Sequence, residues 1–233
     1  MDSAALEILS LPGGPARVAW RRSARARRVS LRIDPRDGAV VVTLPPRAGR
    51  TAGMALLMNH ADWVARRLAA LPGAIPFAEG AVVPLHGVEH RIRHAPLARA
   101  GVRVEGREIV VSGEARFLAR RVADFFRAEA RRSFGELVAA KAAAAQVRPA
   151  RIAVKDTRSR WGSCATSRNL AFSWRLVMAP RHVQDYVAAH EVAHLRHMNH
   201  GPRFWALVDQ LTPHGSDAVA WLRAHGPKLL RIG

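Results

Sequence analysis

The segment AAHEVAHLRHMNHGPRFW (188–205) puts four histidines within eleven positions of a 233-residue chain that has eleven histidines in all. On a helix His190 and His194 stand one turn apart, with roughly 6 Å between their backbones. From that separation two imidazole nitrogens can converge on one divalent cation. Glu191, one residue past the first histidine, can hold a metal-bound water by a hydrogen bond without itself becoming a ligand. This is the physical content of the H-E-x-x-H spacing, present here as HEVAH, and it points to Zn2+ with an activated water. Val192 and Ala193 fill the rest of the turn with small apolar groups, as expected where the helix is pressed on a sheet.

His200 is the third ligand that the spacing favours. It lies six residues beyond His194, past a helix end expected at Asn199, and asparagine tolerates the left-handed conformation that would turn the chain back. Three protein ligands with one open position is the arrangement of a catalytic zinc site. His197 shares the stripe but sits about 10 Å along the axis from His190. Cys164 is the alternative third ligand, or else a small residue packed beside the site. As the one cysteine of the chain, it leaves no internal disulfide and no multi-thiolate zinc site possible. A zinc deaminase would need a P-C-x-x-C segment, which is absent.

A tetrahedral intermediate needs a second source of positive potential. Tyr186, one turn before His190, could donate a hydrogen bond, or it could simply be packed with its hydroxyl partly wet. Arg158, Arg160 and Arg175 are further candidates; the other role for Arg160, with Trp161, is to hold a hairpin against the helix. His86, His90 and His94 are evenly spaced and could share a strand face, but no carboxylate pattern completes a second site. His60 reads as an ordinary surface residue of its helix.

Elements of two kinds must position these residues. RRVSLRI (27–33) and AVVVTL (39–44) alternate polar and apolar side chains around the turn formers DPRDG, which predicts a hairpin. TAGMALLMNHADWVARRLAALPG (51–73) repeats apolar residues on one helical face and closes at Pro72-Gly73. Short strands are expected around 81–95 and 102–111, then a long helix from Glu114 to about Gln146. RIAVKD (151–156) and LAFSWRLVMAP (170–180) read as strands, the latter with one buried face. Helices follow over 182–198, from Pro202, and between Ser216 and Gly226. The fold class is therefore α+β. A β-rich region with one helix covers 1–112, and the catalytic region, including the long linking helix, covers 113–233.

SRWGSC (159–164), NLAFSWRLVMAP (169–180) and DYVAAHEVAHLRHMNHGPRFW (185–205) together resemble the YgjP-like metallopeptidase domain. This is a bacterial zincin group described as M48-like and related to the SprT-like proteins. The resemblance extends over nearly the whole chain and is most specific in 151–205. It implies a zincin-like fold, zinc held by His190, His194 and His200, Glu191 as the catalytic carboxylate, and a peptide or protein substrate. Phe204 and Trp205 match an aromatic pair after the third ligand. Val192 stands where the family usually has leucine, and Gly201 where serine is common; neither change touches a ligand. A noncatalytic zinc-stabilised module and a zinc hydrolase of non-peptide amides are the rival readings.

Charge adds a further constraint. The net charge is +19, and Lys141, Lys155 and Lys228 are the only lysines. Such a field attracts nucleic acid or other polyanions. However, the arginines of 17–50 interleave with strand residues, without a recognition helix or stacking aromatics. A solvated arginine face is therefore the expected reading, with weak nucleic-acid association as the secondary one. No apolar run is long enough to cross a bilayer, and MDSAALEILSLPGG (1–14) lacks a leader pattern. A cytoplasmic protein without membrane insertion is expected.

Overall fold

The β-branched run VVVT (40–43) forms an inner strand of the first sheet. The computed structural model describes residues 6–99 and 101–233, and the chain divides into two compact units, Met1–Gly73 and Ala74–Gly233. In the first, β1 (Leu6–Leu11) pairs antiparallel with β2 (Gly14–Arg22), and β3 (Ser30–Ile33) pairs antiparallel with β4 (Val40–Leu44). β2 and β4 join the hairpins in parallel, giving the order β1-β2-β4-β3. Val18, Val40, Val42 and Leu44 share a core with Leu57 of α1 (Arg50–Asn59) and with Ala61 and Val64 of α2 (Ala61–Ala69).

The hairpin expected over 27–44 is present. The single helix expected over 51–73 is two helices, because the chain leaves helical geometry at His60 (φ −115°, ψ 19°). The carbonyl of His60 still accepts from Val64 N–H at 3.0 Å, so the break is a kink and not a loop. The β1–β2 hairpin has no counterpart in the sequence reading. Of the opening stretch 1–14, residues 1–5 lie outside the described residues, and Leu6–Leu11 forms β1.

The second unit opens with the same strand pattern. β5 (Val82–Leu85), β6 (Val88–His94), β7 (Val102–Glu105) and β8 (Glu108–Val111) take the order β5-β6-β8-β7, again antiparallel, parallel, antiparallel. A single 3-10 turn leads into α3 (Leu118–Ala144), whose Val122, Phe126, Ala130, Phe134 and Val138 recur every four residues on a fully buried stripe. Phe126 stacks on Phe77 at 5.4 Å and Phe134 on Phe172 at 4.4 Å. Val83, Ile92, Ile109 and Val111 pack into this same core. The boundary expected at 112 therefore does not coincide with the division at Gly73: the second sheet buries its apolar face with α3.

β9 (Arg151–Lys155), β10 (Gly162–Cys164) and β11 (Asn169–Ser173) form a third sheet, order β10-β11-β9, with β10 antiparallel and β9 parallel to β11. The strand expected over 170–180 stops at Ser173, and Trp174–Met178 is a 3-10 turn. Its carbonyls find partners elsewhere: those of Val177 and Met178 accept from His86 and Gly87 N–H at 2.7 and 3.0 Å. Burial of every residue from 170 to 179 replaces the expected alternation. α4 (Arg181–Ala193), α5 (Pro202–Leu211) and α6 (Gly215–Leu229) complete the unit. α6 runs past the stop expected at Gly226, a residue used instead for close packing: a Cβ there would lie 3.0 Å from the Trp161 ring. Asp185 on α4 pairs with Lys141 of α3 at 2.7 Å and accepts from Thr212 Oγ1 at 2.6 Å. No helix of the described residues is long and apolar enough to cross a membrane.

Candidate metal centre

α4 ends earlier than its apolar periodicity predicts. Ala193 is its last residue, and His194 caps it (φ −63°, ψ −21°). Leu195 N–H bonds to Val192 O at 2.9 Å and Arg196 N–H to Ala193 O at 3.1 Å, so i→i+3 bonds tighten the exit. This replaces the helix end expected at Asn199. The left-handed turn expected there is not used: among the described residues other than glycine, positive φ is found at His86, Gln146 and Arg168. The tight exit returns His200 to His190, with their Nε2 atoms 3.2 Å apart.

His190, His194 and His200 each offer a ring nitrogen, and these nitrogens lie within 4.8 Å of one another. The cluster can coordinate a metal ion, and its donor chemistry fits one. His194 Nδ1 lies 3.1 Å from the His197 carbonyl, which can only accept, so Nδ1 carries the proton and Nε2 keeps its lone pair. Burial, then the neighbouring His194 and His200, pushes the His190 imidazole down to about 4. Burial also lowers His194, against the opposing bond to His197. Both rings are thus neutral at pH 7, the form that ligates. His190 Nδ1 is buried with no hydrogen-bond partner among the described residues.

Phe204, fully buried on α5, packs against all three imidazoles, with ring centroids 5.0, 4.5 and 4.7 Å from those of His190, His194 and His200. Trp205 is 5.9 Å from His190 and 5.7 Å from His200. Pro202 opens α5 immediately after the third histidine. The aromatic pair therefore backs the cluster, and Phe204 forms its floor.

The histidines open onto a cleft of about 420 Å³ whose other lining includes Glu191, Gly162, Cys164 and Arg160. Glu191 is only 6% exposed. Burial pushes its pKa up to about 7, against the pull of Arg160. Gly162 on β10 makes room for this carboxylate: a Cβ there would stand 2.6 Å from Glu191 Cγ and 2.7 Å from Cδ. β10 is an edge strand of its sheet. Sequence reasoning gave Gly162 no role, although a glycine inside a strand is itself the signal of a close approach.

Of the other residues singled out in the sequence, Arg160 and Cys164 line the cleft and the rest lie elsewhere. Tyr186 is 8% exposed, with its ring 6.0 Å from that of His190, and it is not among the residues lining the cleft. Arg175 is buried at 1% exposure, stacks over Trp174 at 4.2 Å and bonds to Asp156, so it supports the fold instead of the site. Arg158 does not line the cleft, whereas Arg160 does. Cys164 lines the cleft without joining the nitrogen cluster; burial, then the Glu191 charge, pushes its thiol up. His86, His90 and His94 do not gather. His86 bonds to Glu129 at 2.7 Å, His90 to Val88 O at 2.8 Å, and His94 to Gly113 O. His60 is exposed at the α1–α2 kink.

No curated protein and no solved structure matches the chain. A family model described as the YgjP-like metallopeptidase domain matches residues 27–225, a span that includes the whole cluster.

Proposed function

The chain belongs to the YgjP-like metallopeptidase family, and from that membership we propose that it is a zinc-dependent peptidase with His190, His194 and His200 as ligands. Kinship with the M48-like and SprT-like zincins is part of the same reading. The observation that carries it is the convergence of three imidazole nitrogens beside a buried carboxylate. Zinc bound there would supply Lewis-acid activation of water and of the scissile carbonyl. Glu191 accepts a proton from the attacking water and returns it to the departing amine, and its burial favours that exchange. Arg160, lining the cleft, supplies the additional positive charge for the oxyanion; Tyr186 acts by packing against His190. The open edge of β10 pairs with an extended substrate backbone.

A closed, noncatalytic zinc module would need a fourth protein ligand. Among the described residues the group has three members, which favours the catalytic reading over that one. A non-peptide amide is the remaining alternative substrate. The test is cleavage of a diverse peptide library by zinc-loaded protein, by protein stripped with a chelator, and by protein restored with one equivalent of zinc. Cleavage that disappears on stripping and returns with zinc is expected. A fully loaded protein that cleaves no peptide, or one that cleaves equally well without metal, contradicts the proposal.

A further inference from the structure

A groove of about 450 Å³ in the first unit plays no part in the proposed hydrolysis. One wall is the run Arg28, Val29, Ser30 and Leu31, which leads into β3. Among the described residues β3 ends its sheet and pairs only with β4. The facing wall is Leu56, His60 and Trp63, spaced four and three apart, so one helical stripe continues from α1 across the kink into α2. Val29, Leu31 and Leu56 are half-buried, and Trp63 is 36% exposed. Among the described residues no carboxylate lines the groove.

A terminal strand offers its outward N–H and C=O groups as a template for another extended chain. Successive side chains of an added strand alternate between faces, so every second one would meet the wall of Leu56 and Trp63. The polar complement comes from charge: Arg28 lines the groove, and Arg25 and Arg27 lie exposed on the chain entering β3. We propose that this groove binds an extended, acidic peptide segment by strand addition to β3, with apolar side chains seated against Leu56 and Trp63 and carboxylates facing Arg28. Single-stranded nucleic acid fits less well, because it is held by a series of stacking aromatics and the aromatic rings lining this groove are Trp63 and His60 alone.

Fluorescence anisotropy with labelled Glu-Val-Glu-Val-Glu-Val-Glu tests the assignment, using the full zinc-loaded chain carrying Glu191→Gln so that the probe is not consumed. Saturable binding is expected. Trp63→Ala and Arg28→Glu, each introduced separately, should weaken it about tenfold or more, with thermal unfolding and zinc content unchanged. N-methylation of alternate peptide amides in the pairing frame, or replacement of the glutamates by lysine, should weaken it as strongly. With Glu191 intact, Trp63→Ala should leave cleavage of a short neutral peptide unchanged, which separates failure here from failure of the peptidase reading. The proposal is overturned by absence of binding, by binding that ignores either variant, or by binding indifferent to N-methylation. Tighter binding of oligothymidylate with the same sensitivity to the two variants would instead make the groove a nucleic-acid site.

Discussion

Gly162 limits where Glu191 can sit. Adding one methyl group there forces the carboxylate off its present position, because the three nearest atoms all belong to Glu191. Gly162→Ala should therefore retain zinc, yet lose roughly tenfold to a hundredfold in kcat/KM, the scale of a misplaced reacting group. Zinc content and turnover measured on the same preparation check this; unchanged turnover would remove Gly162 from the account. The ligands themselves give a second expectation. His200→Ala should lose most of its zinc, and Cys164→Ser should keep it, because Cys164 lies outside the nitrogen cluster. Elemental analysis of both variants decides between the two third ligands. The approach of His190 to His194 was legible in the sequence because helical periodicity alone puts residues four apart on one face. Gly162 was not, since which side chain faces a strand glycine depends on tertiary packing. Tyr186 shows the same limit: one turn from His190, it shares the stripe and packs on the ring without lining the cleft.

Among the elements, the β5–β6 turn is tied to two helices by one imidazole. His86 Nε2 donates to Glu129 of α3 at 2.7 Å, and its Nδ1 accepts from the Gln184 amide of α4 at 3.0 Å. Burial holds His86 below its ordinary value of 6.5, against the pull of Glu129. As pH falls the unfolded chain takes up this proton first, so the stability held in neutral His86 is present above about 6.5 and is lost below it. Asparagine tolerates the positive φ of this position. Urea unfolding should show a smaller loss of stability between pH 7 and pH 5 for His86→Asn than for the native chain; equal losses would exclude this role. A second tie is Asp156, which accepts from Trp174 Nε1 at 3.1 Å and from buried Arg175. Removing it takes one charged partner from buried Arg175, and Asp156→Ala should cost about 2 kcal/mol by the same measurement, below the full cost of a buried pair because Asp156 is partly exposed. The sequence located the long helix, the β3–β4 hairpin and the histidine helix through their apolar periods, but not the β1–β2 hairpin. It missed the stop at Ser173 and the early end of α4, where the backbone bonds to a distant turn or tightens locally without a change in hydrophobic pattern.

At the scale of the whole molecule, one four-strand order is used twice, as β1-β2-β4-β3 and β5-β6-β8-β7, before α4 and its exit carry the cluster. No self-similarity was read in the sequence, because strand order is set by pairing and not by residue identity. The charge of +19 acts at this scale too. Any association with DNA should weaken steeply as salt rises, through release of counterions, while cleavage of a short peptide should need no DNA. Titration over a salt series and turnover with and without DNA check the two halves; tight salt-independent binding, or DNA-dependent cleavage, would contradict them. The most direct test of the central claim measures fold, metal and turnover together in Glu191→Gln. Glutamine keeps the shape beside Gly162 but cannot take the proton from water. The account predicts native thermal unfolding and full zinc, with peptide hydrolysis reduced at least about a hundredfold. A folded, zinc-loaded Glu191→Gln protein that turns over an established peptide substrate at the native rate would contradict it.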